Sequence, residues 1–169
     1  GLADALALIR HHALELGITT VTDASEAQLK AVYELTGGNP LALKLVVSLL
    51  DLHPLSQVLE GLARSRPGPI EDLYRYIYWQ SWQTLTENGR RLLQSMPLLA
   101  ESGGHADYLA AISGLSVADV WPALRELRSR SLVEVYGTLE QKRYGLHRLT
   151  ETFLRTEIID WPEDEEGMG

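Results

Sequence analysis

The spacing of apolar residues predicts helices along the first part of the chain. Apolar side chains recur every three to four residues from Leu6 to Leu16, and Gly17 is a natural helix end. Ser25 and Gln28 form the capping-box pattern that opens a second helix, which carries the next apolar residues at the same spacing. The pattern therefore predicts two helices before residue 37.

A third helix is predicted directly after the glycine pair Gly37-Gly38. Asn39 can accept hydrogen bonds from the free N–H groups of a helix start, and Pro40 suits the first helical position. The next ten residues, 41–50, are apolar nearly all round, which is typical of a buried helix. The alternative is a buried strand that ends in a magnesium-binding Asp51. The helix start that precedes the segment favours the helix.

A linker after a fourth amphipathic helix sets the predicted domain boundary. In Arg64–Pro69 two prolines flank a glycine, and this sequence cannot continue a helix. We therefore predict a four-helix domain over residues 1–66, a second domain over 67–160, and an acidic disordered tail over 161–169.

The second domain shows a different succession of elements. Helical patterns lead to a capped helix from Ser116, and then Leu132–Tyr136 alternates apolar and polar residues as a strand does. A turn follows, Lys142–His147 returns as a second strand, and a last helix carries Leu149 and Phe153. Helices, a β-hairpin and a closing helix predict a winged helix-turn-helix. The expected fold class is mostly α, with a four-helix domain before this winged helix.

Charge and composition exclude several classes of protein. The chain has 23 acidic against 15 basic residues, whereas proteins that bind nucleic acid usually carry a basic surplus. It has no cysteine, which excludes disulfides and cysteine-bound zinc. Neither a signal-peptide pattern nor an apolar run long enough for a bilayer occurs. We expect a cytoplasmic protein without membrane or nucleic-acid partners.

Motifs that would make the chain an enzyme are missing. No Gly-Lys-Ser or Gly-Lys-Thr occurs, so the phosphate-binding P-loop is absent, and the paired-histidine zinc helix and the Gly-x-Ser-x-Gly elbow are absent too. His11 and His12 are adjacent on a helix, where their side chains point about 100° apart and do not easily share an ion. We expect a solvated histidine pair, no metal site and no catalytic activity of the chain alone.

Two other functions stay open at this point. The predicted helix 116–130 carries Arg125, Arg128 and Arg130 outward, beside basic residues of the wing, so a DNA-binding transcription regulator is one alternative. The second alternative is a protein-binding scaffold. Its interaction strip would be a helix crowded with aromatic residues, although such clusters more often pack in a core. These residues are Tyr76, Tyr78, Trp79 and Trp82.

Two short segments resemble motifs of one family. Residues 35–43, LTGGNPLAL, resemble the Gly-x-Pro signature in the lid helices of STAND-class signal-transduction ATPases, the NB-ARC family. Residues 144–149, YGLHRL, are similar to the Met-His-Asp motif that ends the winged-helix domain of that family. The order of the predicted elements also matches, since a four-helix lid precedes the winged helix. The resemblance covers Gly1 to about Asp160.

The resemblance implies a regulatory role and three nucleotide-binding residues. Gly38 and Pro40 would belong to the lid signature, with Pro40 against the adenine, and His147 would donate a hydrogen bond to the β-phosphate of ADP. ADP or ATP would bind only together with the family's nucleotide-binding domain, which we expect upstream of Gly1. That domain would be the main partner of the chain. Exchange of ADP for ATP would release the winged helix for self-assembly of the whole protein.

The second motif departs from the family pattern at two positions. Leu146 stands in place of Met, which changes little if the position serves packing. Arg148 stands in place of Asp, so any capping or orienting role of that acid is lost, and Thr150 is the alternative cap. We expect the ring of His147 to lie near the surface between strand and helix, without a strong partner in this chain.

Overall fold

Helices make up most of the computed structural model, which describes residues 1–99 and 102–159. One small antiparallel hairpin accompanies them. The predicted fold class, mostly α with a β-hairpin, is confirmed at this level. The acidic tail predicted for residues 161–169 lies outside the described residues.

The chain divides into two compact units, Gly1–Gln83 and Thr84–Gly169. The helices of the first unit are α1 (Leu2–Leu16), α2 (Thr19–Thr22), α3 (Glu26–Thr36), α4 (Pro40–Leu50), α5 (Leu55–Ser65) and α6 (Ile70–Gln83). The predicted boundary after residue 66 assigned α6 to the second domain. In the structure α6 packs on α4 and α5 and so groups with the first unit.

The second unit contains four helices and the hairpin in its described part. Its elements are α7 (Glu87–Ser95), α8 (Ala106–Ser113), α9 (Val117–Ser129), β1 (Glu134–Gly137), β2 (Lys142–Gly145) and α10 (Arg148–Phe153). A 3-10 turn, Met96–Leu98, follows α7, and a π-helical turn, Leu154–Ile158, follows α10. The closing helix was predicted as one regular element. In the structure its last turn widens, and the N–H of Ile159 donates to the carbonyl of Leu154.

The structure confirms the predicted helix starts at Ser25 and Asn39. These starts were predictable because capping depends on neighbouring residues alone. The Ser25 hydroxyl accepts from the N–H of Gln28 at 3.2 Å, and the Gln28 side chain accepts in return from the Ser25 N–H at 2.9 Å. The Asn39 side chain accepts from the N–H groups of Leu41 and Ala42 at 3.0 and 3.3 Å. The strand alternative for the segment before Asp51 is wrong, since this segment is α4.

The centre of the first unit is α4. Because α4 carries apolar side chains on all its faces, other helices must pack around it to exclude water. The helices that make the largest contacts with it are α1 and α6. Its buried residues are Ala42, Leu43, Leu45, Val46, Val47, Ser48 and Leu49. The α5–α6 contact depends on Gly61, because a Cβ there would lie 1.9 Å from Tyr76 Oη. The first unit is therefore organised around one almost wholly buried helix.

The hairpin of the second unit gains a third backbone segment that the sequence did not predict. β1 pairs with β2 so that Val135 lies opposite Tyr144. On the other side of β2, the N–H of Gly104 donates to the Tyr144 carbonyl at 2.9 Å and the Tyr144 N–H donates to the Gly104 carbonyl at 2.8 Å. Gly103 permits this approach, since its φ is +79° and a Cβ would lie 2.7 Å from the Tyr144 carbonyl oxygen. β2 is thus bonded along both of its edges.

No helix in the described part of the chain combines the length and the apolar composition needed to cross a membrane.

Candidate nucleotide-contact residues

The first motif forms a sharp corner between α3 and α4. Gly37 and Gly38 have φ values of +71° and +77°, a backbone region that favours glycine. At Gly38 a second constraint applies, because a Cβ would lie 2.8 Å from Cε1 of the Tyr33 ring. Asn39 then caps α4, and Pro40 occupies the first helical position with its ring exposed. The corner therefore presents a rigid proline at the surface.

The second motif places His147 between β2 and α10. Its backbone is extended and the residue is half-buried. The N–H of Leu149 donates to His147 Nδ1 at 3.0 Å, so the imidazole is the N-cap of α10. The expectation that the ring has no strong partner is therefore wrong. Thr150, the alternative cap, lies buried inside α10 and does not cap it.

The cap determines which ring nitrogen of His147 can donate. A nitrogen that accepts an N–H cannot carry a proton, so the neutral ring bears its proton on Nε2. Within residues 1–99 and 102–159 the Nε2 atom of His147 has no hydrogen-bond partner. The side chain thus combines a fixed ring with one available donor, and both properties follow from the hydrogen bond to Leu149.

The structure places the three predicted residues in different units. Gly38 and Pro40 belong to the first unit and His147 to the second. The first motif presents an exposed proline ring, and the second presents an oriented imidazole donor. These residues do not form a phosphate-binding site by themselves, since the P-loop is missing from the sequence.

The surface of α9 differs in one respect from the row of outward arginines that the sequence indicated. Arg125 and Arg128 are exposed, but Arg130 is half-buried and its Nε donates to Thr84 Oγ1 at 3.0 Å. The interpretation of Arg130 as an outward residue is wrong. The first turns of the helix expose Val117 and Trp121, at 47 and 44% of their full area. In a DNA-reading helix these first turns supply the side chains that contact bases.

The aromatic helix α6 is mainly a core element. Tyr78 and Trp82 are buried, whereas Tyr76 and Trp79 are half-buried. Packing inside the first unit therefore accounts for most of this cluster, as is usual for large aromatic side chains.

The adjacent histidines have different surroundings. His11 is exposed and its Nε2 lies 3.0 Å from Glu15 Oε1, as expected for a solvated residue. His12 has only 12% of its side chain exposed, so the prediction of a solvated pair is wrong for this residue. Burial lowers the pKa of His12, and the positive charge of Lys44 lowers it further. In the described part of the chain, no three His, Asp or Glu side chains are arranged to hold a metal ion.

Comparison with known protein families finds no family model that matches this chain, and comparison with curated protein sequences finds no match.

Proposed function

We propose that this chain is the lid and winged-helix part of a STAND-type ATPase and acts as a nucleotide-state switch. In this reading α1 and α3–α5 are the four principal helices of the lid, and α7–α9 with the hairpin are the winged helix. The bridge of Gly104 to β2 supports the second assignment, because it gives the wing the three-segment sheet common among winged helices. The proposal also rests on the two sequence motifs and their order.

The observation that carries the proposal is the orientation of His147. A nucleotide sensor needs a donor that is held in place before the ligand arrives, because an immobilised side chain loses less entropy on binding. The Leu149 N–H holds the ring at Nδ1 and leaves Nε2–H to donate. A hydrogen bond to a charged phosphate contributes roughly 1.5–3 kcal/mol. This energy would shift a closed-to-open equilibrium by about tenfold to a hundredfold.

The lid motif supplies the second contact. Pro40 is rigid, exposed and apolar, and it would lie against the adenine base. Gly38 would be required for the corner that presents Pro40, since both its positive φ and the Tyr33 ring exclude a side chain. The chain would bind ADP or ATP only with a P-loop domain, which holds the phosphates.

The first test is accordingly the coding sequence before Gly1. A P-loop within the length of one domain, about 250 residues, is expected there, and its absence contradicts the proposal.

The decisive experiment separates the cap from the donor in the longer protein that the proposal requires. His147→Asn keeps a side-chain oxygen that can cap α10 but shortens the reach of the donor, whereas His147→Ala removes both. We expect both variants to release bound ADP roughly ten- to a hundredfold faster than the parent, from the energy of a charged hydrogen bond. The measurement is the dissociation rate of a fluorescent ADP analogue.

The control for this experiment is Arg148→Ala, which changes the exposed neighbouring residue and should leave ADP release unchanged. Parent-like ADP release from His147→Asn, with fast release from His147→Ala alone, would mean that His147 acts only as a cap. The nucleotide-switch proposal would then lose the observation that carries it.

DNA binding remains the second candidate because of the exposed basic residues of the second unit. Arg125, Arg128 and Arg148 are exposed and make no ion pair within the described residues. The apolar first turns of α9 favour the switch over this candidate. Sequence-selective binding of duplex DNA at physiological salt would reverse that preference, whereas weak binding that vanishes with added salt would not.

A further inference from the structure

A cleft of about 620 Å³ lies in the second unit, between the start of α8, α9 and the turn of the hairpin. It is separate from His147, which does not line it. Its walls combine an aromatic ring, an exposed leucine and several polar side chains. The lining includes Trp121, Leu139, His105, Asp107, Glu140 and Lys142.

The aromatic wall is exposed and held in position. Trp121 packs edge-on against the ring of Tyr144, with centroids 6.5 Å apart and planes at 77°. Tyr144 is itself buried and bonded to Gly104 through its backbone. Even so, 44% of Trp121 is exposed, and Leu139 at the hairpin turn is 91% exposed. A large side chain that is both fixed and solvent-exposed is typical of an interaction anchor.

The polar wall carries more acidic than basic side chains and offers several hydrogen-bond acceptors. The carboxylates of Asp107 and Glu140 only accept. The carbonyl of Lys142 also only accepts, so the 2.9 Å contact with His105 Nδ1 requires Nδ1 to donate. The neutral ring then offers its Nε2 lone pair as a third acceptor. The one cationic side chain of the lining is the ammonium of Lys142, so the lining has a formal charge of −1 when His105 is neutral.

An arginine side chain matches both walls. Its guanidinium carries five N–H donors and a positive charge, and its flat face stacks on indole rings. We propose that this cleft binds an arginine of a partner polypeptide, with the guanidinium over Trp121 and bonded to Asp107 and Glu140. An apolar residue beside that arginine contacts Leu139. The proposal does not depend on nucleotide binding and so stands or falls separately from the proposed switch.

The test uses the full chain and short blocked peptides. The probe is acetyl-Gly-Leu-Arg-Gly-amide, and the comparison peptides carry Gln or Lys in place of Arg. Binding is followed by NMR through the Trp121 indole N–H and the backbone N–H groups of Asp107 and Gln141. We expect saturable shifts of these signals with the Arg peptide, at least twofold weaker binding of the Lys peptide, and none with the Gln peptide.

Variants of the cleft locate the binding. Trp121→Leu keeps an apolar contact to Tyr144 but removes the indole, and Asp107→Asn with Glu140→Gln removes both carboxylates. Each should weaken binding of the Arg peptide roughly two- to fivefold, the effect of one exposed cation–π contact or ion pair. The matched control, Glu87→Gln with Asp119→Asn, removes two exposed acids outside the cleft and should leave binding within twofold.

Three results would overturn the proposal. The first is no shift of the Trp121 indole signal at saturating Arg peptide. The second is a peptide control that binds as tightly as the Arg peptide. Equal binding of the Gln peptide would show that charge plays no part, and equal binding of the Lys peptide would remove the assignment to arginine. The third is equal weakening by the cleft variants and the matched control, which would mean attraction to the acidic chain as a whole.

Discussion

Both units of this chain have a buried apolar core, and they differ in how that core is arranged. The first unit surrounds one almost wholly apolar helix, α4, and the Arg10 guanidinium adds hydrogen bonds to the carbonyls of Thr22 and Ala24. In the second unit, polar side chains join elements that are distant in sequence. Glu126 on α9 accepts from the N–H and the hydroxyl of Thr86 at the start of α7, and Arg91 Nε donates to the Ser113 carbonyl at 2.9 Å. Apolar burial tolerates small shifts, whereas such hydrogen bonds require a defined geometry.

The surfaces of the two units differ as well. Among the described residues, six large apolar side chains are exposed in the second unit and three in the first. Those of the second unit are Leu98, Tyr108, Val117, Trp121, Tyr136 and Leu139. A unit that combines defined polar contacts with exposed apolar side chains is suited to binding other molecules. The exposed apolar side chains of the second unit include Trp121 and Leu139, which line the cleft that we propose binds arginine.

The largest expected effect is on the core of the first unit. Leu45 is fully buried in α4, so Leu45→Ala should lower the free energy of unfolding by about 2–5 kcal/mol through lost burial and a cavity. Chemical denaturation measures the loss, and hydrogen exchange should locate it in residues 1–83. Leu14→Ala, at a position 72% exposed on α1, is the control and should cost under about 1 kcal/mol. A similar cost for both variants would contradict the central role of α4.

The next largest effect is expected when the contact between Glu126 and Thr86 in the second unit is removed. Glu126→Ala should destabilise that unit by about 1–3 kcal/mol, since the Thr86 N–H loses a charged acceptor. Gly89→Ala should displace the Glu126 carboxylate from Thr86 and so lose the same hydrogen bonds, because the added Cβ would lie 1.9 Å from Glu126 Oε1. The double variant should cost less than the sum of the two, as removing Glu126 makes room for the methyl group. Denaturation of all three measures the coupling, and strict additivity would show that Glu126 and Gly89 act independently.

A smaller effect is expected at the α10 cap. His147→Ala should lower the stability of the chain by about 1 kcal/mol, while His147→Asn should be nearly neutral because Asn is a good cap. Thermal denaturation in the absence of nucleotide is the measurement. Equal losses in the two variants would show that packing of the ring, rather than the bond to Leu149, stabilises this end of β2.

The smallest effect concerns the pH dependence of the first unit. Burial, and then the charge of Lys44, lowers the pKa of His12 below its ordinary value near 6.5, although Glu15 opposes this shift. Below about pH 6.5 the unfolded chain takes up a proton that the folded chain resists, so stability falls as the pH falls. His12→Gln should make the free energy of unfolding less dependent on pH between about 7.5 and 5.5. His11→Gln is the control and should preserve the slope of the parent.

Much of the local structure was predictable because the signals are local. Gly17 ends α1, Ser25 and Asn39 cap the next helices, and an alternating pattern marks the hairpin. The short helix Thr19–Thr22 was missed because four residues carry too little periodicity to be recognised. The corner that presents Pro40 was also predictable, since its glycines, asparagine and proline each act on their own backbone.

The remaining features depend on residues that are distant in sequence. The grouping of α6 with the first unit follows from its packing on α4, and a linker pattern at residues 64–69 does not contain that information. The burial of His12, the Arg130–Thr84 bond and the bridge from Gly104 to β2 likewise arise only when separate elements meet. The sequence by itself determined where the longer helices begin and roughly where the hairpin lies, because caps and periodicity act within a few residues. Tertiary structure alone decided which distant side chains bond to each other and which polar residues become buried, because those properties are set by neighbours that the chain brings together on folding.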